Sequence, residues 1–159
     1  MISILNVMKI VVLSLLIVSS VLYADTNMVS LRNQCYSSQN TYACKELKET
    51  EALVHRTEQS CYNGDRESCF NVGKFYMWSD NKYERSLKFL DKACQYKIAD
   101  ACIAAATVSQ MFLYDDEKKQ MYVDGALHIY RAQGYSDGRA LGKVNSGMLE
   151  FRLSFTLNK

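Results

Sequence analysis

Six cysteines are the residues of this 159-residue chain with the most chemistry to offer. They are Cys35, Cys44, Cys61, Cys69, Cys94 and Cys102, three close pairs separated by 9, 8 and 8 positions. Thiols can pair with one another, bind a metal or act as nucleophiles. Structural zinc sites place paired cysteines with roughly two to four residues between them, and no such pair occurs here. Only His55 and His128 could supplement the thiols, and they lie far apart in the chain, so no metal is expected. Six cysteines allow many connectivities. Their clustering favours three local bridges, Cys35–Cys44, Cys61–Cys69 and Cys94–Cys102. Bridged thiols are not free to serve as nucleophiles. There is no Gly-rich phosphate loop, and no cofactor is expected.

The elements that position these cysteines follow from turns and periodicity. Cys61 and Cys94 are 33 residues apart, and Cys94 and Ala132 are 38 apart. A period in the mid-thirties is the length of a helix–turn–helix repeat. Asn63-Gly64-Asp65 lies between Cys61 and Cys69 and is a strong turn signal. Gly134-Tyr135-Ser136-Asp137 fills the corresponding slot further on. Ala132 and Ala140 are then expected to take the two cysteine places of a fourth, unbridged corner. Asp65 and Asp137 can cap the helices that follow them. Tyr83, Leu87, Leu90 and Cys94 fall at helical spacing, as do Tyr122, Ala126 and Ile129. Gly73 and Ala106 stand four positions after Cys69 and Cys102, where small residues let helices approach. The expected architecture is all-α: antiparallel helix pairs whose corners are pinned by local disulfides. Between Cys44 and Cys61 there is no glycine or proline, which allows two short helices or one long one.

Composition sets the outer limits. With 48% hydrophobic residues, no proline and seven glycines, the chain suits one folded domain and not a disordered or loop-rich one. A net charge of +2 gives no cationic field of the kind nucleic-acid binders use. Residues 1–24 differ from the rest: Lys9, an apolar run from Ile10 to Leu22, and Ala24 before the polar chain begins. This reads as a secretory signal peptide, with an uncleaved anchor as the alternative. The run is short for the ~20 residues of a membrane span, so no stable span is expected after cleavage. Export to a periplasm or beyond would place the cysteines where thiols pair. At the other end Leu149, Phe151, Leu153, Phe155 and Leu157 alternate with polar residues. Strict alternation is a strand signal, yet an all-α domain offers no sheet. Residues 148–159 are therefore either a capping helix or an extended tail.

The stretch from Cys61 to Tyr76, Cys-Tyr-Asn-Gly-Asp-Arg-Glu-Ser-Cys-Phe-Asn-Val-Gly-Lys-Phe-Tyr, resembles the Sel1-like repeat. It looks more like the cysteine-rich Sel1 proteins, the Helicobacter cysteine-rich family, whose second half Ser86-Leu-Lys-Phe-Leu-Asp-Lys-Ala-Cys94 also resembles. Gly125 to Gly134 is similar to the general Sel1 form. The resemblance implies a short right-handed, TPR-like solenoid over residues 25–147. The family's glycine-rich loop between helices is replaced here by the shorter Trp78-Ser-Asp-Asn-Lys82.

Two functions follow from the resemblance. Members of this family are described as penicillin-binding proteins with weak β-lactamase activity. Serine β-lactam enzymes use Ser-x-x-Lys, Ser-Asp-Asn and Lys-Thr-Gly on facing elements. Ser79-Asp80-Asn81-Lys82 matches the first two patterns within one tetrapeptide, which reads as a polar interhelix turn, and Lys-Thr-Gly is absent. Ser79 and Lys82 are the candidate catalytic pair. The other function is a protein or peptide interaction module, because stacked helix pairs form a concave groove. Asn71 stands where the repeat's Asn contacts a bound peptide backbone, though Glu46 and Ala104 at the equivalent positions do not repeat it. Lys74 and Trp78 follow Asn71 at helical spacing. Trp78, the only tryptophan, is either an interface anchor or a core residue.

Overall fold

Turn chemistry sets the boundaries of the helices. In the computed structural model, which describes residues 27–157, Asn27, Asn40, Asp65 and Asp115 each cap a helix by accepting backbone N–H groups of the first turn. The helices are α1 (Met28–Ser38), α2 (Thr41–Tyr62), α3 (Arg66–Trp78), α4 (Tyr83–Gln95), α5 (Ala99–Met111), α6 (Asp116–Ala132) and α7 (Asp137–Leu157). The described residues contain no strand. The leader expected over residues 1–24 lies outside the described residues. No described helix is long and apolar enough to cross a membrane.

The three expected bridges are present: Cys35–Cys44 joins α1 to α2, Cys61–Cys69 joins α2 to α3, and Cys94–Cys102 joins α4 to α5. Each closes a short loop, a kind of cross-link worth about 2–3 kcal/mol. Cys44 to Cys61 lies in one long helix, α2. Each helix packs on its neighbours in sequence, with further contacts between α3 and α5, α4 and α6, and α5 and α7.

Three corners share one hydrogen-bond register, whereas at the first bridge the Asn40 N–H donates to the Gln34 carbonyl. Gly64 N–H donates to Cys61 C=O, and Asp65 N–H to Ser60 C=O. Lys97 N–H donates to Cys94 C=O, and Ile98 N–H to Ala93 C=O. At the last corner Gly134 N–H donates to Arg131 C=O, and Tyr135 N–H to Tyr130 C=O. Gly64 and Gly134 take φ values of 98° and 89°, which glycine adopts at little cost. This register corrects the sequence reading of the fourth corner. Arg131, not Ala132, holds the place of Cys61 and Cys94, and the turn is one residue longer before α7 begins. Ala132 is exposed, whereas Ala140 is fully buried opposite that corner. Asp137 does not cap: its Oδ1 accepts from Arg131 Nε at 2.6 Å, an ion pair across the corner that lacks a bridge.

Small residues bring the helices together where expected. A Cβ on Gly73 would lie 2.7 Å from Leu90 Cδ2 and 3.2 Å from the Leu90 backbone nitrogen. Ser86 Oγ donates to the Gly73 carbonyl at 2.7 Å in the same contact. Helix α5 is buried nearly all round, from Ala99 to Ser109, as the central element of the core. Helix α7 is unbroken from Asp137 to Leu157, so the tail's alternation sits on a helix. Met148 and Phe155 face the core, with Phe151 packed against it, while Leu149 and Leu153 face outward.

Candidate functional site

A cavity of about 210 Å³ opens between α1, α2, α3 and the start of α4. Its polar walls are Arg32 of α1, Glu51, His55 and Glu58 of α2, Asp80 and Lys82 of the α3–α4 turn, and Arg85 of α4. Phe75, Tyr76, Met28 and Val54 supply its apolar surface.

Two buried carboxylates organise this cavity. Glu58 is only 6% exposed, and its Oε1 accepts from Tyr76 Oη at 2.8 Å, Arg85 Nη2 at 2.7 Å and Arg85 Nε at 3.2 Å. A carboxylate so buried needs such partners, since an unpaired buried charge is very costly. The Arg85 guanidinium also lies over the Tyr76 ring, 4.7 Å from its centroid. Burial and the Glu58 carboxylate push the Tyr76 phenol far above its ordinary value. Asp80, 5% exposed, pairs with Arg32 and with Lys82 Nζ at 2.7 Å. Its hydrogen bond to Arg32 also holds that guanidinium above its ordinary pKa.

Ser79-Asp80-Asn81-Lys82 therefore docks α1. Met28 N–H donates to the Ser79 carbonyl at 2.8 Å, the Met28 side chain is buried, and Arg32 reaches Asp80. Asn81 bends the turn at φ 51°. Ser79 itself is 4% exposed, and the Lys82 ammonium is engaged by Asp80. A serine nucleophile needs an exposed hydroxyl and a base within hydrogen-bond reach. Ser79 is buried, and among the described residues its hydroxyl makes no hydrogen bond to Lys82.

Asn71, Lys74 and Trp78 do not line the cavity. Asn71 is exposed on α3. Lys74 is half-buried, its Nζ lies 4.5 Å over the Phe70 ring, and burial lowers its pKa. Trp78 stacks on Phe151 of α7 at 5.8 Å between centroids, against the main core cluster, and its indole N–H is buried without a partner. Among the described residues no three His, Cys, Asp or Glu side chains come together as a metal site would require.

The residues missed from the sequence are Glu58, Arg85 and Arg32, while Asp80 stands in the turn motif but without its pairing to Arg32. One signal was available. Leu47, Thr50, Val54, Glu58 and Cys61 share one helical stripe, and all but Val54 are buried. A glutamate in the apolar register of a helix implies a buried cationic partner elsewhere in the chain. Searches against protein-family models, characterised proteins and solved structures returned no match.

Proposed function

We propose that the protein is an exported, disulfide-stapled helical-repeat module of the Sel1-like kind, acting in a periplasm or outside the cell. It binds an extended segment of a peptide or protein partner. The shared hydrogen-bond register of three corners supports the repeat reading, and stacking of each helix on its sequence neighbours supports a solenoid. Three bridges without a free cysteine among the described residues support an oxidising compartment.

The observation that carries the binding reading is the cavity's lining. It combines fixed cations, buried carboxylates and two aromatic faces, and it holds no serine, threonine or cysteine. Lys82 and Arg85 are held at one end by carboxylates, yet their side chains remain 45% and 49% exposed. They can donate to peptide carbonyls or carboxylates without reorganising.

Selection of displayed peptides on the oxidised protein tests this reading. Selected peptides should lose about 1–3 kcal/mol of affinity when Arg85 or Lys82 is replaced by alanine, as when a partnered polar group loses its mate. Peptides that bind but ignore both substitutions would move the site elsewhere. Hydrolysis of a chromogenic cephalosporin that Ser79→Ala abolishes would replace the binding reading with an enzymatic one.

A further inference from the structure

The outer face of α7 is an unusual surface for the last described helix. At 100° per residue, Gly138, Gly142, Leu149 and Leu153 fall within about 60° of one another. Leu149 and Leu153 are 57% and 49% exposed, and Leu141, 49% exposed, flanks them. A Cβ on Gly138 or Gly142 would meet nothing within 4 Å, so neither glycine is required by packing inside the protein. Glycine within a helix costs about 1 kcal/mol against alanine. Both glycines instead leave shallow troughs on the face that carries the exposed leucines.

The pattern complements itself. If a second copy of α7 is laid antiparallel on the first, Leu149 falls opposite Gly142 of the other copy, and Leu153 falls opposite Gly138. The two pairings share one centre, between Asn145 and Ser146. Four leucine knobs therefore enter four glycine troughs around a single two-fold axis, over about 22 Å of helix. Arg139 and Glu150 lie together on one flank of the face, and the same alignment sets Arg139 of one copy near Glu150 of the other, about two residues or ~3 Å out of register, within reach of an arginine side chain. Both are exposed, and neither has an ion-pair partner among the described residues. In an antiparallel pair the same flank meets itself, so both charge pairs form at once.

We infer that the outer face of α7 is a homodimer interface, with a second copy of this chain as its occupant. Leu149 and Leu153 seat on Gly142 and Gly138, and Arg139 pairs with Glu150 across the axis. Sedimentation equilibrium on the oxidised protein tests this. The wild type should show a monomer–dimer equilibrium. Arg139→Glu places like charges side by side twice per dimer and should raise the dissociation constant at least ~10-fold, and Glu150→Arg should do the same. The double exchange Arg139→Glu with Glu150→Arg should return it to within ~3-fold of wild type. Gly142→Leu should also raise it, with helicity retained because that position is open. A wild type that is monomeric up to ~1 mM overturns the inference. So does a dimer indifferent to Gly142→Leu, or a double exchange that fails to restore association.

Discussion

Removing the Glu58 carboxylate tests whether the polar cavity holds the fold together. In Glu58→Ala the Tyr76 hydroxyl loses its acceptor at 2.8 Å and Arg85 loses both its contacts, at 2.7 and 3.2 Å. Breaking a buried pair from one side costs ~3–5 kcal/mol when the surviving charge stays dry. The Arg85 side chain is 49% exposed, so it rehydrates and its share falls towards the ~0–1 kcal/mol of an exposed pair. The Tyr76 side is different, because Tyr76 is only 4% exposed and its hydroxyl reaches water poorly. An unmet buried donor costs ~1–3 kcal/mol. With the loss of packed methylenes the total is about 2–4 kcal/mol. For a domain of this size each kcal/mol moves Tm by ~3–5 °C, so Glu58→Ala should lower it by roughly 6–20 °C. Tyr76→Phe should cost about 1 kcal/mol alone and almost nothing more in the Glu58→Ala background, a coupling that a double-mutant cycle resolves. The assay is thermal unfolding followed by circular dichroism at neutral pH, with the bridges intact. A Tm within ~2 °C of wild type for Glu58→Ala, or strictly additive single effects, would refute the reasoning.

Gly73→Ala should lower stability by about 1–3 kcal/mol, because the new methyl would press on the Leu90 backbone as well as its side chain; chemical denaturation that finds it neutral or stabilising would show that α3 and α4 can slide apart freely. Alkaline pH should loosen the fold in a defined window. Burial, helped by Asp100, pushes the Tyr130 phenol up to about 12. A raised folded-state pKa favours the neutral phenol in the native protein. Its contribution is therefore whole below the ordinary value of ~10 and is lost as pH climbs towards about 12. Tyr130→Phe should flatten part of the fall in Tm across that window, and a variant with an unchanged alkaline slope would contradict this.

How much of this was legible in the sequence depended on the range of the interaction. Helix corners are local: Asn63-Gly64-Asp65 reveals the turn, the cysteine pairs reveal its staple, and Gly73 marks a close approach, all within a few residues. The cavity is not local. Glu58 meets Tyr76 and Arg85 across 18 and 27 positions, and Arg32 meets Asp80 across 48. No periodicity encodes those pairings, and the only trace is a charge in a buried register. The fourth corner is displaced by one residue from its expected place because the eight-residue cysteine spacing does not carry over to a turn that is one residue longer. The chain instead keeps the hydrogen-bond geometry and substitutes an arginine for the thiol. In the tail, alternation suggested a strand because apolar residues stand on both sides of α7, Phe151 and Phe155 inward, Leu149 and Leu153 outward. Trp78 could have gone either way, and its stacking on Phe151 places it against the core.

The bridges also divide the molecule mechanically. Two of them weld α1, α2 and α3 into one inextensible block, and the third welds α4 to α5. Between the blocks runs only the chain from Ser79 to Lys82. A load applied to the two ends of the domain would pass through that seam without meeting a covalent cross-link. What resists it there is non-covalent: Leu90 packed on Gly73, the Ser86 hydrogen bond to the Gly73 carbonyl, and Arg85 held by Glu58. Under tension the stapled helix pairs would therefore outlast the packed joint between them. The bridges make two stapled units of the first five helices, and the joint between those units, like the seating of α6 and α7, is held by non-covalent contacts alone.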